Sequence, residues 1–441
     1  MCTKEATSAT QPPAYLNADY IKHALESHLI GAHANNSNNN GSNIIDILEC
    51  EFKRATADGE NFCSVIYRVY VKYQLHNASA ENSNEKHEIT VIVKDVLKEV
   101  ADLGSNELAM YKHVLPEMQR ILQQTANTAV NGDTVTLTKL YSNCYFCEHD
   151  EREIYFLEDL NAVGYRSVNR YLGLDLEETK VVLKKLAEFH ASSMKYIAEF
   201  PTEAASLLPA TFDQGFGDDF TKSIAVGGIT TASKIVEQWE DFENIAEKMR
   251  STIVKFEECA KRIMRPERCR FKVITHGDLW ANNILMKYDV VEGKTVPLDA
   301  VFVDFQMDFV GSCGYDLNFF LNTSVQLEVL KLHRYELLRY YYTQLKGTLR
   351  KLGFEASTIP SWDAVMAEVR DLEFTSYYAM VCELPLCCVD RDGAQGLTLN
   401  SLTNPEEREK VHKKIFSNKR VLETLRYGLD RLDELSVLDL C

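Results

Sequence analysis

H-G-D-L-W-A-N-N at residues 276–283 and V-D-F-Q at residues 303–306 are the stretches that decide how this chain folds. They supply an aspartate, an asparagine five residues later, and a second aspartate at the end of an apolar strand. Mg²⁺ prefers oxygen ligands and usually takes only one or two carboxylates beside phosphate and water. The pattern therefore predicts a phosphoryl-transfer centre, where catalysis depends on placing a hydroxyl in line and on neutralising charge.

Each polar residue of this pattern has an expected role. Asp278 orients the attacking hydroxyl and accepts its proton, whereas Asn283 and Asp304 hold the metal. H-G-D alone is short enough to arise by chance, and its combination with D-F-Q is far more restrictive. Apolar residues at 284–289 and 298–304 flank a turn-like segment, which predicts a hairpin that carries Asp304 at its end.

The chain resembles the insect ecdysteroid kinase-like (CHK kinase-like) family, which is related to choline kinase and the aminoglycoside phosphotransferases. H-G-D-x-W-x-x-N and D-F-Q carry most of that resemblance. Further matching segments lie at 92–94 (I-V-K), 111–116 (Y-K-H-V-L-P), 157–160 (L-E-D-L), 186–191 (L-A-E-F-H-A) and 316–317 (D-L). The resemblance implies an α+β, two-lobed protein-kinase-like fold, with a small antiparallel-sheet N-lobe and a mainly helical C-lobe. It also implies ATP and Mg²⁺ as cofactors.

The residues upstream of the catalytic stretch predict a nucleotide-binding lobe. Segments 44–55, 65–72 and 89–96 are rich in β-branched and apolar residues, which predicts three strands followed by a helix. The loop 58–64 lies where protein kinases carry a glycine-rich loop, and we expect its backbone N–H groups and Ser64 to cover phosphates. With one glycine, an ordinary hairpin turn at Asp58-Gly59 explains this loop as well.

Lys94 lies among apolar residues of the third strand, where a cation is costly unless it is paired. The expected partner is Glu107, in a helix over 107–123 with apolar residues at helical spacing. A strand lysine that bridges a helix glutamate and the α/β-phosphates is the arrangement of kinases. The alternatives are a solvated edge-strand lysine, and Glu99 or Glu117 as the partner.

Residues 157–160 follow an apolar strand and resemble the hinge between lobes in this family. The resemblance places Glu158 and Leu160 where backbone groups contact adenine. A helix-entry loop with capping carboxylates is an equal alternative for Glu158.

The length of 441 residues exceeds one ordinary core and suits two lobes. The expected division is a disordered N-terminus with a short helix and an Asn-rich linker over 1–43, an N-lobe over 44–160, and a C-lobe over 161–441. The start of the chain lacks an apolar segment, and no apolar run of about 18 residues exists. We therefore expect a cytoplasmic protein whose twelve cysteines are reduced thiols.

Charge bears on the partners of the chain. A net charge of −17 argues against nucleic acid or an anionic membrane, since both reward clustered Lys and Arg. No obligatory protein partner is evident in the sequence. The expected partner is a hydroxylated small molecule.

Departures from protein kinases bear on the acceptor. Gly277 replaces the arginine of H-R-D, Gln306 replaces the glycine of D-F-G, and no A-P-E segment follows. We therefore expect a small-molecule hydroxyl, and the family adds an ecdysteroid or a xenobiotic alcohol or phenol. The alternatives are a catalytically silent small-molecule binder, a kinase of a cationic alcohol such as choline or an aminoglycoside, and a true protein kinase.

Two further expectations concern the surroundings of the catalytic stretch. Acceptor walls are predicted in the aromatic- and leucine-rich segments 309–345 and 372–390, with core packing as the alternative for each side chain. The candidates there are Phe374, Tyr377, Tyr378, Met380 and Leu384. We expect His276 to brace the catalytic loop rather than act as a base, His190 to be a core histidine, and Asp316 to cap a helix or brace the metal loop.

Overall fold

A computed structural model describes residues 12–34, 44–56, 63–76, 85–101, 105–127, 139–149, 152–209, 218–389, 397, 401–402 and 404–439. The chain divides into two compact units. Unit 1 comprises residues 1–102 and 142–163, and unit 2 comprises residues 103–141 and 164–441. The expected Asn-rich linker and most of the loop 58–64 lie outside the described residues.

Unit 1 is built on a five-stranded antiparallel sheet with the order β1-β2-β3-β5-β4. Its strands are β1 (Ile44–Arg54), β2 (Ser64–His76), β3 (Glu85–Val96), β4 (Cys144–Glu148) and β5 (Ile154–Glu158). Its helices are α1 (Ala18–Ala34) and α2 (Lys98–Ala101), and a 3₁₀ turn spans Leu160–Val163. The three strands predicted from β-branched and apolar residues are thus present as neighbours.

The core of unit 1 lies between α1 and one face of this sheet. α1 packs against β1 and β4. The alternating residues Val69, Val71, Val91 and Val93 are fully buried, because successive side chains of a strand point to opposite faces. Burying one such side chain contributes about 1.5–3 kcal/mol, so this face holds the sheet and α1 together.

Unit 2 is mainly helical. Its helices are α3 (Glu107–Ala109), α4 (Leu115–Asn127), α5 (Leu176–Glu199), α6 (Pro201–Ala205), α7 (Asp218–Val236), α8 (Glu243–Ile263), α9 (Cys313–Ser324), α10 (Leu327–Lys351), α11 (Trp362–Asp371), α12 (Glu373–Tyr378), α13 (Leu384–Cys387), α14 (Pro405–Ile415) and α15 (Lys419–Glu434). Its strands are β6 (Tyr165–Ser167), β7 (Val273–Thr275), β8 (Ile284–Val291), β9 (Lys294–Phe302) and β10 (Phe309–Gly311).

Short turns complete unit 2. Five-residue π-turns join α3 to α4 at Met110–Val114 and α12 to α13 at Ala379–Glu383. Single 3₁₀ turns lie at Pro266–Arg268, Ala281–Asn283 and Val437–Asp439.

Small sheets of unit 2 present the catalytic stretch. β8 and β9 pair antiparallel, with Ile284 opposite Phe302, so the predicted hairpin is confirmed. β7 pairs antiparallel with β10, which places residues 276–283 and 303–308 between paired strands. Both segments are therefore anchored at each end.

The long helix α5 packs against β7 and β9. Its start follows the sequence closely, because Asp175 accepts from the Glu178 backbone N–H and the Glu178 side chain accepts from the Asp175 N–H. This capping box satisfies two of the N–H groups that a helix start leaves unpaired. The segment D-L-E-E at residues 175–178 thus fixes where α5 begins.

Two global features were also expected from the sequence. Among the described helices, none has the length and hydropathy to cross a lipid bilayer. Nine of the described cysteines are free thiols. Cys259 is disulfide-bonded, so the expectation that every cysteine is reduced is wrong at that position.

Candidate active site

Asp278 lies at the centre of the catalytic stretch and keeps solvent-accessible atoms although protein surrounds most of its side chain. Asn283 donates from Nδ2 to the Asp278 carboxylate Oδ2 at 3.0 Å and to its carbonyl at 2.8 Å. The Trp280 indole also hydrogen-bonds to this carboxylate. Burial raises the pKa of Asp278 well above its ordinary value, and the charges of Asp304 and Glu383 raise it further. A carboxylate made more basic in this way is suited to receive a proton.

Asn283 and Asp304 are brought together by the backbone that precedes Asp304. The Val303 N–H donates to the Asn283 carbonyl at 3.1 Å, continuing the β8–β9 pairing toward Asp304. Because the Asn283 amide nitrogen faces Asp278, its Oδ1 is the side-chain atom left to ligate a cation. Asp304 has φ +68°, a left-handed conformation that is strained for a residue with a side chain. Such strain clusters at functional sites.

Steric constraints explain why position 277 of H-G-D is a glycine. Gly277 has φ +75°, and a Cβ at this position would lie 2.0 Å from the Met307 carbonyl oxygen. Real Cβ atoms do not approach an oxygen so closely, so no larger residue fits without moving the backbone after D-F-Q. The arginine of H-R-D is therefore excluded at this position.

His276 is fully buried and braces the loop, as expected. Its Nε2 lies 3.1 Å from the Val303 carbonyl oxygen. A carbonyl oxygen only accepts, so Nε2 carries the hydrogen. Burial lowers the pKa of His276, and within the described parts of the chain its Nδ1 has no hydrogen-bond partner. The neutral ring is thus a donor that ties the catalytic loop to the segment before Asp304.

Asp316, in the first turn of α9, anchors the same loop by its backbone. Its carboxylate accepts from the N–H of His276 at 2.8 Å and of Gly277 at 3.0 Å. The Nε2 of His190 lies 3.0 Å from the same group, and the other ring nitrogen contacts the Tyr341 hydroxyl at 2.7 Å. Asp316 therefore braces the loop, and His190 is a core histidine, as predicted.

Phe305 connects D-F-Q with the elements around it. Its ring packs against His276 at 5.0 Å, Phe189 at 6.0 Å and Tyr111 at 5.8 Å between centroids. Tyr111 belongs to the π-turn that follows Glu107. The Phe305 ring thus packs between α5 and the helical run that begins at Glu107, and this packing fixes the backbone of the adjacent Asp304.

Asn106 and Asp308 are contributors that the sequence did not single out. The Asn106 N–H lies 3.4 Å from the Gln306 carbonyl, and its side chain donates to the carbonyls of Leu208 and Asp308. The Asp308 carboxyl is buried, and its oxygens have no hydrogen-bond partner among the described residues. Burial raises the pKa of Asp308 well above its ordinary value. D-F-Q-M-D could have drawn attention to Asp308, whereas no pattern marks Asn106.

Lys94 and Ser64 belong to unit 1. Lys94 lies in β3 opposite Ile66 and Tyr155 and is only 3% exposed, with its Nζ 5.9 Å from the centroid of the Tyr155 ring. An inward-facing lysine on a central strand excludes the solvated-edge alternative. Ser64 is the first residue of β2 and is buried. Their contacts with phosphate stay predictions.

Glu107 belongs to unit 2 and opens the helical run 107–127, as the periodicity predicts. It is buried, and its N–H donates to the Ser105 hydroxyl at 3.0 Å. Because Lys94 and Glu107 lie in different units, their pairing stays a prediction.

The segment proposed as a hinge ends β5 and continues into a 3₁₀ turn. The Glu158 N–H donates to the Asn143 carbonyl at 2.8 Å, and its carboxylate accepts from the Asn143 N–H at 3.1 Å. The N–H of Glu158 is thus used within unit 1, which leaves adenine contacts to its carbonyl or to Leu160. Leu160 is buried, and Asp159 forms an ion pair with Arg68 at 2.9 Å.

Most of the predicted acceptor walls are core residues. Phe374 packs against Phe256 at 5.6 Å, the Tyr377 hydroxyl lies 3.1 Å from that of Thr252, and Met380 and Leu384 are fully buried. Tyr378 is the exception among these candidates, because it keeps solvent-accessible atoms.

The donor set fits magnesium. Asn283 and Asp304 offer one amide and one carboxylate oxygen, the small set that Mg²⁺ takes beside phosphate and water. Among the described residues, no group of three or more His, Cys, Asp or Glu side chains could hold a metal. Asn283 and Asp304 would therefore be the two protein ligands of such an ion.

Comparisons with known proteins place the chain in a family. A sequence model of the ecdysteroid kinase-like family matches residues 58–354, which include Lys94, Asp278, Asn283 and Asp304. No curated protein matches the chain in sequence. Among solved structures, the chain is similar to an ethanolamine kinase of Plasmodium vivax, with 12% sequence identity, coverage of 83% of this chain and 81% of that chain, and a TM-score of 0.34.

Proposed function

Because the chain belongs to the ecdysteroid kinase-like family, we propose that it transfers the γ-phosphate of ATP to a hydroxyl of a lipophilic small molecule. Family membership supports a small-molecule kinase. The observation that carries the finer proposal is the arrangement of Asp278, Asn283 and Asp304. These three residues are the base and the two metal ligands that phosphoryl transfer to an alcohol requires.

Asp278 orients the acceptor hydroxyl and takes its proton as the oxygen attacks. The Asn283 amide and the Trp280 indole hold the carboxylate in place. Its raised pKa makes it a better base than a solvated aspartate. Positioning by a fixed carboxylate is the main contribution that the protein makes to this reaction.

Asn283 Oδ1 and the Asp304 carboxylate would hold Mg²⁺, which when bound neutralises charge on the phosphates. The strained Asp304 backbone is fixed by Phe305, and His276 keeps the preceding Val303 carbonyl in place. We assign Lys94 the role of the phosphate-binding cation, with Glu107 as its partner. Ser64, and the backbone at Glu158 and Leu160, are assigned to the nucleotide as well.

The acceptor class rests on the surroundings of Asp278. Trp280, which hydrogen-bonds to this carboxylate, and Tyr378, which binds the nearby Glu383, keep solvent-accessible aromatic atoms in unit 2. Such surface suits an apolar body bearing a hydroxyl. Gly277 removes the arginine with which protein kinases read a phosphorylated activation loop. Both features favour a lipophilic alcohol such as an ecdysteroid, or a phenol, over a protein substrate.

Radiolabel transfer tests the proposal. The full chain is incubated with γ-labelled ATP, Mg²⁺ and, in separate reactions, hydroxylated steroids, phenols, choline, an aminoglycoside and a generic protein. We expect labelled steroid or phenol with the wild type and none with Asp278→Asn. Labelling of only choline or the aminoglycoside would show that the enzyme is a kinase of cationic alcohols. Labelling of the protein alone, or of no compound, would overturn the proposal.

A further inference from the structure

Glu383 lies at the end of a π-turn, an uncommon backbone conformation. It is the last residue of the π-turn Ala379–Glu383, before Pro385 of α13. Ala379, Met380 and Val381 are fully buried, whereas Glu383 keeps solvent-accessible atoms. π-turns are rare and occur frequently at functional sites. Among the described residues, the only other such turn is Met110–Val114.

Glu383 acts electrostatically on the catalytic aspartate, and a tyrosine hydroxyl holds its side chain. The Tyr378 hydroxyl donates a hydrogen bond to its Oε1. Its negative charge contributes to the raised pKa of Asp278 and, together with Asp278, to the raised pKa values of Tyr315 and Cys387. α9 packs against both the 3₁₀ turn 281–283 and the π-turn, which brings the two stretches together.

We call Asp278, Trp280, Tyr378 and Glu383 the acceptor cluster. All four belong to unit 2. Asp278, Tyr378 and Glu383 keep accessible atoms among neighbours that are fully buried. Glu383 and Tyr378 also lie beyond residues 58–354, the part of the chain that the family model matches.

Neighbouring buried glutamates show what is unusual about Glu383. Glu373 is bound by Arg431 and Ser376 and lies 3.4 Å from Arg334. Glu368 accepts from the Arg270 backbone at 2.7 Å and from the Ser312 hydroxyl. Both are structural carboxylates whose neighbours satisfy them.

Among the described residues, Glu383 has no comparable set of donors. Burial raises its pKa, the Tyr378 hydroxyl opposes that rise, and within the described part of the chain no cation contributes. A buried carboxylate is costly unless donors satisfy it. The Glu383 carboxylate can therefore accept a further hydrogen bond, from a donor group of the acceptor.

We propose that Glu383, held in place by Tyr378, binds a second hydrogen-bond donor of the acceptor, at a distance from the hydroxyl that Asp278 receives. The inference rests on the proposed function and narrows its substrate class. The acceptor is a lipophile with two donor groups, one phosphorylated and one bound by Glu383. A hydroxyl or an ammonium group supplies the same chemistry.

A matched pair of steroids tests this proposal. Estradiol and estrone share the phenol and differ at the other end, where estradiol has a hydroxyl and estrone a ketone. A ketone cannot donate to a carboxylate, so the wild type should prefer estradiol by about 10- to 100-fold in kcat/KM or in affinity, as a hydrogen bond to a charged group implies. An aminosteroid with the same skeleton distinguishes an ammonium from a hydroxyl donor, and preference for it over estrone likewise supports the proposal.

Glu383→Gln supplies the decisive comparison. The glutamine keeps an acceptor oxygen and adds a donor for the ketone, so the preference for estradiol should fall to within about 3-fold. Tyr378→Phe should reduce the preference less, because it only releases the carboxylate. Glu355→Gln replaces an exposed glutamate of unit 2 and should retain the wild-type preference.

Equilibrium binding by calorimetry separates this inference from the proposed function, since binding needs no turnover. Phosphorylation of either steroid with a preference that Glu383→Gln leaves unchanged would overturn the role of Glu383 and leave the kinase intact. Equal wild-type affinity for the two steroids, or no binding of any of them, would also overturn it. Thermal unfolding of each variant confirms that the comparison is made on folded protein.

Discussion

Asp278 is the residue on which the chemistry depends. Asp278→Asn removes the proton acceptor and keeps the side-chain shape, so turnover should fall by about 10²- to 10⁴-fold while affinity for ATP changes little. Initial rates of label transfer and an ATP titration measure the two quantities. A turnover number equal to that of the wild type would show that another group takes the proton.

Asp304 is predicted to hold the metal. Asp304→Asn retains a residue that tolerates the left-handed backbone but loses the negative charge, so magnesium-dependent binding of ATP should disappear while the fold persists. Isothermal titration with MgATP and circular dichroism check both parts.

Asp289→Ala is the matched control, since Asp289 is an exposed carboxylate on the same hairpin. It should bind MgATP as the wild type does. Wild-type affinity in Asp304→Asn would exclude Asp304 as a metal ligand.

Much of this site follows from the sequence at the residue scale, because its spacing encodes its chemistry. The spacing from Asp278 to Asn283 and the strand before Asp304 were sufficient to predict which residues meet. Three-dimensional neighbours far apart in sequence were not predictable. Glu383 lies near Asp278 through packing of α9 and a π-turn, and neither element leaves a periodic signal.

At the scale of elements, the helix that begins at Glu107 shows what sequence periodicity can and cannot predict. Buried Tyr111, Leu115 and Met118 follow the predicted spacing. Met110 and Val114 are buried on the same face, and Leu108 is only half-buried. Periodicity therefore predicts the helix and its buried face, but not the π-turn Met110–Val114 within it.

The contact between α7 and α14 makes a prediction about pH. The His412 Nδ1 lies 2.8 Å from the Thr231 hydroxyl, and burial with the nearby Arg408 charge lowers the pKa of His412 from 6.5 to about 4. The unfolded chain binds this proton more readily, so stability is fully present above pH 6.5 and falls as the pH drops toward 4. The shift corresponds to at most about 3 kcal/mol.

Urea unfolding at pH 7 and pH 5 measures this dependence. His412→Gln should reduce the loss of unfolding free energy between the two values, whereas His333→Gln, a partly exposed histidine on α10, should not. The same pH slope in His412→Gln and in the wild type would contradict the assignment.

At the scale of the whole molecule, nucleotide binding should appear as stability. A ligand that binds only the folded state stabilises it by about 2.7 kcal/mol at 100 times its Kd. We therefore expect the Tm to rise with ATP only when Mg²⁺ is present. Lys94→Met should abolish most of that rise, because it removes the cation assigned to the phosphates.

Lys86→Met replaces an exposed lysine on the same strand and serves as the control. It should show the same rise in Tm as the wild type. A rise that Lys94→Met retains in full would exclude Lys94 as a phosphate ligand.

The two-unit organisation itself was predictable in outline. Length, the three-strand pattern and the later helical periodicity indicate a sheet-based unit and a helical one. The grouping of residues 103–141 with unit 2 was not, because it depends on how α4 packs against α5. Packing between distant segments has no signature in a single sequence.

The left-handed backbone of Asp304 also predicts which substitutions should appear in homologues that have lost kinase activity. A lineage that abandons phosphoryl transfer gains stability when this position mutates to glycine, since such strain costs about 1 kcal/mol or more. Substitution of Asp316 would instead destabilise the fold, because its carboxylate accepts hydrogen bonds from two backbone N–H groups and contacts the buried His190 ring. Decayed paralogues should therefore lose the first aspartate and retain the second, which would reveal them from sequence alone.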